Sequence, residues 1–132
     1  MALVELISEE EAAGRTSELY EEIMAERRGD SVPPLYRAMA SSPAILEANL
    51  NRKRAIMDRP GKLDALTKHI IAVAVSATNG CEYCTEVHLA AVRKLGLDDE
   101  AVVELMAVVD LLSGFNKFVE GLQIGPDERA HT

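Results

Sequence analysis

The chain has 132 residues, of which 48% are hydrophobic, and its formal net charge is −8 at pH 7. This length fits one domain with a core of its own, and the apolar content excludes a disordered chain. The acidic balance argues against nucleic acid and anionic membrane surfaces as partners, because both need clustered Lys and Arg. The one dense basic run, residues 52–54, is interpreted as a solvated helix face.

Targeting signals and cysteine usage point to the cytoplasm. The first residues have neither the basic segment nor the long apolar segment of a secretory signal. The longest apolar run, residues 70–77, is too short to span a bilayer. The only two cysteines, Cys81 and Cys84, would close a very short disulfide loop, which adds little stability. The pair is therefore poorly explained as a structural staple.

Helix-capping and proline signals predict where the elements of the N-terminal half begin and end. Ser8 and Glu11 form a capping box, which predicts a helix that begins there and runs to about Arg28. Proline signals then mark three further boundaries, at Pro34, Pro43 and Pro60. These boundaries predict a short second segment, a third helix and a break before the next element.

A fourth helix is predicted from about Asp64, whose side chain is expected to cap the amide of Thr67. Residues 70–75 are apolar on every side of this helix, a pattern that is typical of a buried helix. The helix is expected to stop at Asn79 and Gly80, since this dipeptide favours a break in the chain.

The last part of the chain predicts two more helices. The first covers residues 81–95 with Gly96 just past its end, and the second begins at Asp98. The sequence therefore predicts a single all-α domain over residues 1–132, in which residues 126–132 form a flexible tail.

The spacing of three reactive side chains predicts the chemistry of the chain. Cys84 lies three residues after Cys81, and His88 lies four residues after Cys84. At about 100° of rotation per residue, all three fall on one face at the start of a helix. The free amides and positive dipole of a helix start favour a thiolate, and the histidine can accept the proton of Cys84. The pattern indicates a redox-active dithiol, which could act as a thiol peroxidase or as a disulfide reductase.

The segment from Gly80 to His88 resembles the CxxCxxxH signature of the AhpD-like proteins, the alkylhydroperoxidase branch of the carboxymuconolactone decarboxylase superfamily. This motif is specific for the thiol-active branch, because the decarboxylases lack the cysteine pair. The resemblance covers roughly residues 5–125. It includes further matching segments at residues 32–35, 42–43, 66–77 and 95–100.

The resemblance implies an AhpD-like bundle of about six helices, with the CxxC at the N-terminus of a central helix, assembled as trimers or hexamers. It implies a peroxidase that reduces alkyl hydroperoxides through a dithiol–disulfide cycle and needs no cofactor. Cys84 would attack the peroxide, Cys81 would resolve the product, and His88 would belong to a proton relay. The reductant would be an external dithiol, such as a dihydrolipoyl domain, thioredoxin or a peroxiredoxin partner.

One position departs from the family pattern. The family usually has a glutamate twelve residues before the first cysteine, where this chain has His69. A histidine can shuttle protons near neutral pH, but it cannot give His88 an anionic partner. His69 is therefore a tentative relay residue, and the alternative is a histidine that simply forms a local hydrogen bond.

The sequence is also compatible with other functions. Cys81, Cys84, His88 and His69 make up a Cys₂His₂ set, which suits a tetrahedral zinc ion, although three ligands on one short helix require distortion. A low-turnover redox sensor or an oligomeric binding protein could keep the same thiols. The cysteines could also be two small buried hydrophobes. A c-type haem is excluded, because it needs a histidine directly after the second cysteine.

Overall fold

The structure, a computed structural model, describes residues 1–126 and is all-helical over that range. The described part contains six α-helices, and one π-helical turn, Arg54–Asp58, continues the third of them. The helices are α1 (Gly14–Arg27), α2 (Pro34–Met39), α3 (Pro43–Lys53), α4 (Ala65–Asn79), α5 (Glu82–Lys94) and α6 (Asp99–Gly121). The predicted all-α class is confirmed.

The chain divides into two compact units, one from Met1 to Arg59 and one from Pro60 onward. The single domain inferred from the sequence stays a prediction. Of the tail expected at residues 126–132, all but Pro126 lies outside the described residues.

The predicted start of α1 is wrong by five residues, because its N-cap is Ala13 and not Ser8. The capping box does form, since the Glu11 amide donates to Ser8 Oγ at 3.2 Å and the Ser8 amide donates to Glu11 Oε2 at 3.0 Å. It closes only one turn, however, because Ala13 is extended and Gly14 has φ +58°. Left-handed backbone interrupts a right-handed helix, so α1 begins after the box.

The first unit has a core between α1, α2 and α3. Pro43 occupies the first turn of α3 as predicted, where its missing amide hydrogen is not needed. The core side chains are buried and apolar, and Tyr20 satisfies its hydroxyl by donating to the Ile7 carbonyl at 2.8 Å. The members of this cluster are Leu19, Tyr20, Ile23, Val32, Ala40, Leu46 and Leu50.

The second unit contains α4, which contacts both α5 and α6. The predicted cap of α4 is confirmed, because the Thr67 amide donates to Asp64 Oδ1 at 2.7 Å. The cap of α6 is also confirmed, with the Ala101 amide donating to Asp98 Oδ1 at 2.9 Å. Gly96 takes the left-handed conformation after α5 that its position predicts.

The predicted burial of α4 is wrong for the single chain. Only Val73 and Ser76 of this helix are buried, whereas Ile71 is 46% exposed and Val75 is 53% exposed. Apolar residues occur on all sides of α4, but α5 and α6 cover only part of its circumference. The apolar residues on the uncovered part are therefore exposed. None of the residues of α6 is buried.

No helix within residues 1–126 is long and apolar enough to cross a membrane.

Candidate dithiol site

The connection between α4 and α5 fixes the first cysteine. Gly80 ends α4 in the left-handed conformation, with φ +72°, which glycine adopts without the steric cost of a Cβ. The Cys81 amide then donates to the Ser76 carbonyl at 2.9 Å, a bond that turns the chain back over the end of α4. Cys81 thereby becomes the N-cap residue of α5.

Hydrogen bonds at this N-cap hold both thiols in the first turn of α5. Cys81 Sγ accepts the backbone amide of Cys84 at 3.3 Å. The Cys81 carbonyl accepts both the amide of Thr85, at 2.9 Å, and its hydroxyl, at 2.7 Å. Thr85 lies outside the CxxCxxxH motif, although its position four residues after the cap is a signal that predicts this bond.

Both cysteines are free thiols and both are partly buried. The thiol of Cys84 and its backbone amide both donate to Cys81, and these bonds lower the pKa of Cys81 below its ordinary value of 9.0. The same bond to Cys81 raises the pKa of Cys84, and burial adds to the effect. A hydrogen bond to the charged form of a group favours that form. Cys81 is therefore the first of the two cysteines to lose its proton.

The structure brings His69 of α4 against His88 of α5. Their Nδ1 atoms lie 3.0 Å apart, and the ring centroids are 5.3 Å apart with the planes tilted by 40°. Both rings are partly buried. His69, which stands where the family usually has a glutamate, therefore contacts His88. A histidine whose hydrogen bonds lay only within its own helix would not make this contact.

This contact restricts the protonation of the two rings. An Nδ1–Nδ1 hydrogen bond requires a hydrogen on one of the two atoms and a lone pair on the other. If both rings are neutral and His88 is the donor, the lone pair of the His88 ring lies on Nε2, and His69 carries its own hydrogen on Nε2. The pair can then accept one proton at His88 and still keep the bond between the rings.

The Cys₂His₂ alternative gains no support from this geometry. Within residues 1–126, no group of three or more His, Cys, Asp and Glu side chains is arranged to hold a metal ion. The two Nδ1 atoms of the histidine pair form a hydrogen bond with each other.

Comparison with known proteins agrees with the fold. A model of the carboxymuconolactone decarboxylase family matches residues 43–125, more than half of the chain. The crystal structure of the alkylhydroperoxidase AhpD core from Rhodospirillum rubrum superposes with a TM-score of 0.92 at 32% identity. It covers 100% of this chain and 98% of that one.

Two curated relatives carry the name alkyl hydroperoxide reductase AhpD. The one from Rhodococcus erythropolis is 33% identical over 69 residues, which are 52% of this chain and 38% of that protein. The one from Mycobacteroides abscessus is 28% identical over 120 residues, which are 78% of this chain and 69% of that protein. The match thus spans less than two thirds of the Rhodococcus protein.

The chain belongs to the carboxymuconolactone decarboxylase family, as an AhpD-like member. The resemblance that the motif indicated is confirmed.

Proposed function

We propose that the chain reduces alkyl hydroperoxides through a dithiol–disulfide cycle of Cys81 and Cys84, with His88 in proton transfer. The observation that carries the proposal is the pair of free thiols in the first turn of α5, joined by hydrogen bonds and followed on the same helix by His88. The names of the AhpD relatives support the same substrate class.

The cycle begins at Cys84, as the family resemblance implies. Its sulfur attacks the terminal oxygen of the hydroperoxide, the O–O bond breaks, and the alcohol leaves with a proton. Cys84 is now a sulfenic acid, and the sulfur of Cys81 attacks it to form the disulfide and release water. An external dithiol returns two electrons and two protons, which restores both thiols.

His88 is the base in this proposal, because it lies one turn beyond Cys84 on α5. Cys84 keeps its proton in the resting pair, so it must lose that proton before it attacks. His88 accepts the proton, and the Nδ1–Nδ1 bond to His69 then supports the positive ring. His69 acts as a relay residue that substitutes for the carboxylate of the family.

The setting of the reaction is also part of the proposal. We place the protein in the cytoplasm, where a dihydrolipoyl domain, thioredoxin or a peroxiredoxin partner could exchange electrons with the thiols. The neutral residue at the relay position favours a second candidate function, a redox sensor that uses the same cycle with low turnover.

Thiol titration tests the proposal. The reduced protein should lose its two thiols per chain on treatment with cumene hydroperoxide or tert-butyl hydroperoxide, and regain both with a dithiol. Cys81→Ser and Cys84→Ser serve as matched controls, since neither can form the internal disulfide. An unchanged thiol count in excess hydroperoxide would reject the peroxidase, and complete but slow oxidation would favour the sensor.

A further inference from the structure

We propose that a groove in the first unit binds a fatty acid, with the alkyl chain on an apolar wall and the carboxylate beside Arg52. The groove is formed by α2, α3 and the π-helical turn that continues α3. Its lining residues include neither cysteine and neither histidine of the dithiol site. The inference therefore goes beyond the proposed peroxidase and does not depend on it.

The groove is lined mainly by apolar side chains. Its volume is about 280 Å³, close to the lower end of the range for small-molecule pockets, about 300–1,000 Å³. Tyr36 and Met39 of α2 are partly buried and pack against the core of the first unit. Leu35 and Ile56 belong to the same lining and are 44% and 53% exposed. The groove thus offers apolar surface that a ligand of small size could cover.

The π-helical turn supplies one apolar wall of the groove. In this turn the Arg59 amide donates to the Arg54 carbonyl, five residues back, at 2.9 Å. Ile56 and Met57 lie in the turn, and both line the groove. Turns of this kind occur inside helices mostly at functional sites. The one irregular turn of the described helices therefore coincides with the wall of the groove.

The polar edge of the groove comes from α3. Asn49, Arg52 and Lys53 line it, and their spacing makes them neighbours on one face of the helix. Among the described residues of the lining there is no Asp or Glu. In a chain with a formal charge of −8, this edge is locally cationic, which favours a carboxylate over an ammonium group.

The three cations at residues 52–54 have different partners. Arg54 pairs with two carboxylates of α1 at 3.0 Å and 2.8 Å. Lys53 pairs with Asp58 at 2.8 Å. Within residues 1–126, Arg52 is exposed and forms no ion pair. Its guanidinium is therefore the group of this run that is available to a carboxylate, which it can bind through two parallel hydrogen bonds.

These features favour a ligand with one anionic group and one apolar chain. The carboxylate would accept hydrogen bonds from Arg52 and from the Asn49 amide, while the chain would remove Leu35 and Ile56 from water. Eight described residues line the groove, whereas a stable protein interface takes about 20–30 residues from each partner. The size of the groove thus favours a fatty acid over a second copy of the chain.

Calorimetric titration of the whole chain at neutral pH tests the ligand class. Decanoate, used below its micelle concentration, should bind once per chain. Hexanoate should bind at least about tenfold more weakly, because it buries fewer CH₂ groups. Decyltrimethylammonium should also bind more weakly, since its charge is repelled by Arg52. A Kd for decanoate above about 1 mM, or equal affinities for the two ten-carbon ligands, would overturn the proposal.

A matched pair of arginine variants tests the headgroup contact. Arg52→Gln should weaken decanoate binding about fivefold, the upper end for an exposed ion pair, and should not weaken the binding of decyltrimethylammonium. Arg28→Gln removes the same charge from a residue outside the lining and should leave the decanoate affinity unchanged. Equal losses in the two variants would reject Arg52 as the headgroup partner and overturn the proposal.

Cross-linking locates the ligand. A decanoate analogue with a diazirine at the end of its chain should label residues 35–39 and 56–57 on irradiation, as read by mass spectrometry of peptides. Labelling confined to α6, the competing apolar surface, would overturn the proposal. So would a Leu35→Glu variant that lowers the sedimentation coefficient of a wild-type protein to which decanoate does not bind, because that result would assign the groove to a second copy of the chain.

Discussion

At the scale of single residues, the histidine pair distinguishes this chain from the family pattern. The glutamate that the family resemblance implies would give His88 a negative partner, whereas His69 offers an imidazole ring whose Nδ1 lies 3.0 Å from His88 Nδ1. A carboxylate raises the pKa of an adjacent imidazole, and a neutral ring does so much less. His69 therefore does not supply the negative charge that a glutamate would bring to this position.

Replacing His69 tests this reasoning. We expect His69→Glu to raise the rate of hydroperoxide reduction near neutral pH by up to about tenfold, because one pKa unit changes a proton-transfer equilibrium tenfold. The acid-side midpoint of the pH–rate profile should move upward, since the base works only when deprotonated and its pKa is raised. Stopped-flow kinetics between pH 5 and 9 measure both effects.

The matched control is His69→Gln, which keeps a hydrogen-bonding side chain but supplies no charge. It should give neither the faster rate nor the upward shift. A pH–rate profile that is the same for wild type and His69→Glu would identify His69 as a bystander.

At the scale of elements, the turn between α4 and α5 decides where Cys81 lies. Gly80 has φ +72°, yet a Cβ built there meets no atom within 4 Å. The cost of a side chain at this position is therefore backbone strain alone. The hydrogen bond from the Cys81 amide to the Ser76 carbonyl forms in the same turn. Strain at Gly80 therefore affects the position of the thiols.

Two glycine substitutions should have opposite effects on stability. We expect Gly80→Ala to lower the free energy of unfolding by about 1–2 kcal/mol, the cost of a left-handed non-glycine residue. Gly114→Ala should raise it by about 1 kcal/mol, because Gly114 lies inside α6 without positive φ and with open space around it. Urea unfolding curves measure both.

Gly80→Ala should also slow alkylation of Cys81 at pH 7, whereas Gly114→Ala should not. Two glycine variants of equal stability would show that the α4–α5 turn tolerates a Cβ without strain.

At the scale of the whole molecule, α6 carries an apolar surface that the single chain does not cover. None of its residues is buried, and Phe115 and Phe118 are 55% and 68% exposed. Patches of this kind mark interaction sites in soluble proteins. Together with the exposed Ile71 and Val75 of α4, this surface supports the homo-oligomer that the family resemblance implies.

A charge placed on α6 should disrupt that assembly. We expect Phe115→Glu to reduce the sedimentation coefficient from that of a trimer or hexamer towards that of the monomer, because a buried unpaired carboxylate is costly. Phe115→Leu is the matched control and should keep the oligomer. A wild-type protein that sediments as a monomer at micromolar concentration would contradict the proposal.

Much of the local structure follows from the sequence, because its causes are local. The caps at Asp64 and Asp98, the proline start of α3 and the placement of Cys81 at the start of a helix need only neighbouring residues. The start of α1 does not follow, since the capping box is satisfied within one turn and gives no information on the backbone beyond it.

By itself, the sequence determined the all-helical class, the family and the dithiol motif, since helix periodicity and CxxCxxxH spacing are short-range patterns. Tertiary structure decided three further points. It joined His69 to His88 across nineteen residues of chain, it gave the two thiols different hydrogen bonds, and it left α4 and α6 partly uncovered. These depend on how α4, α5 and α6 pack, and no spacing within one helix encodes such contacts.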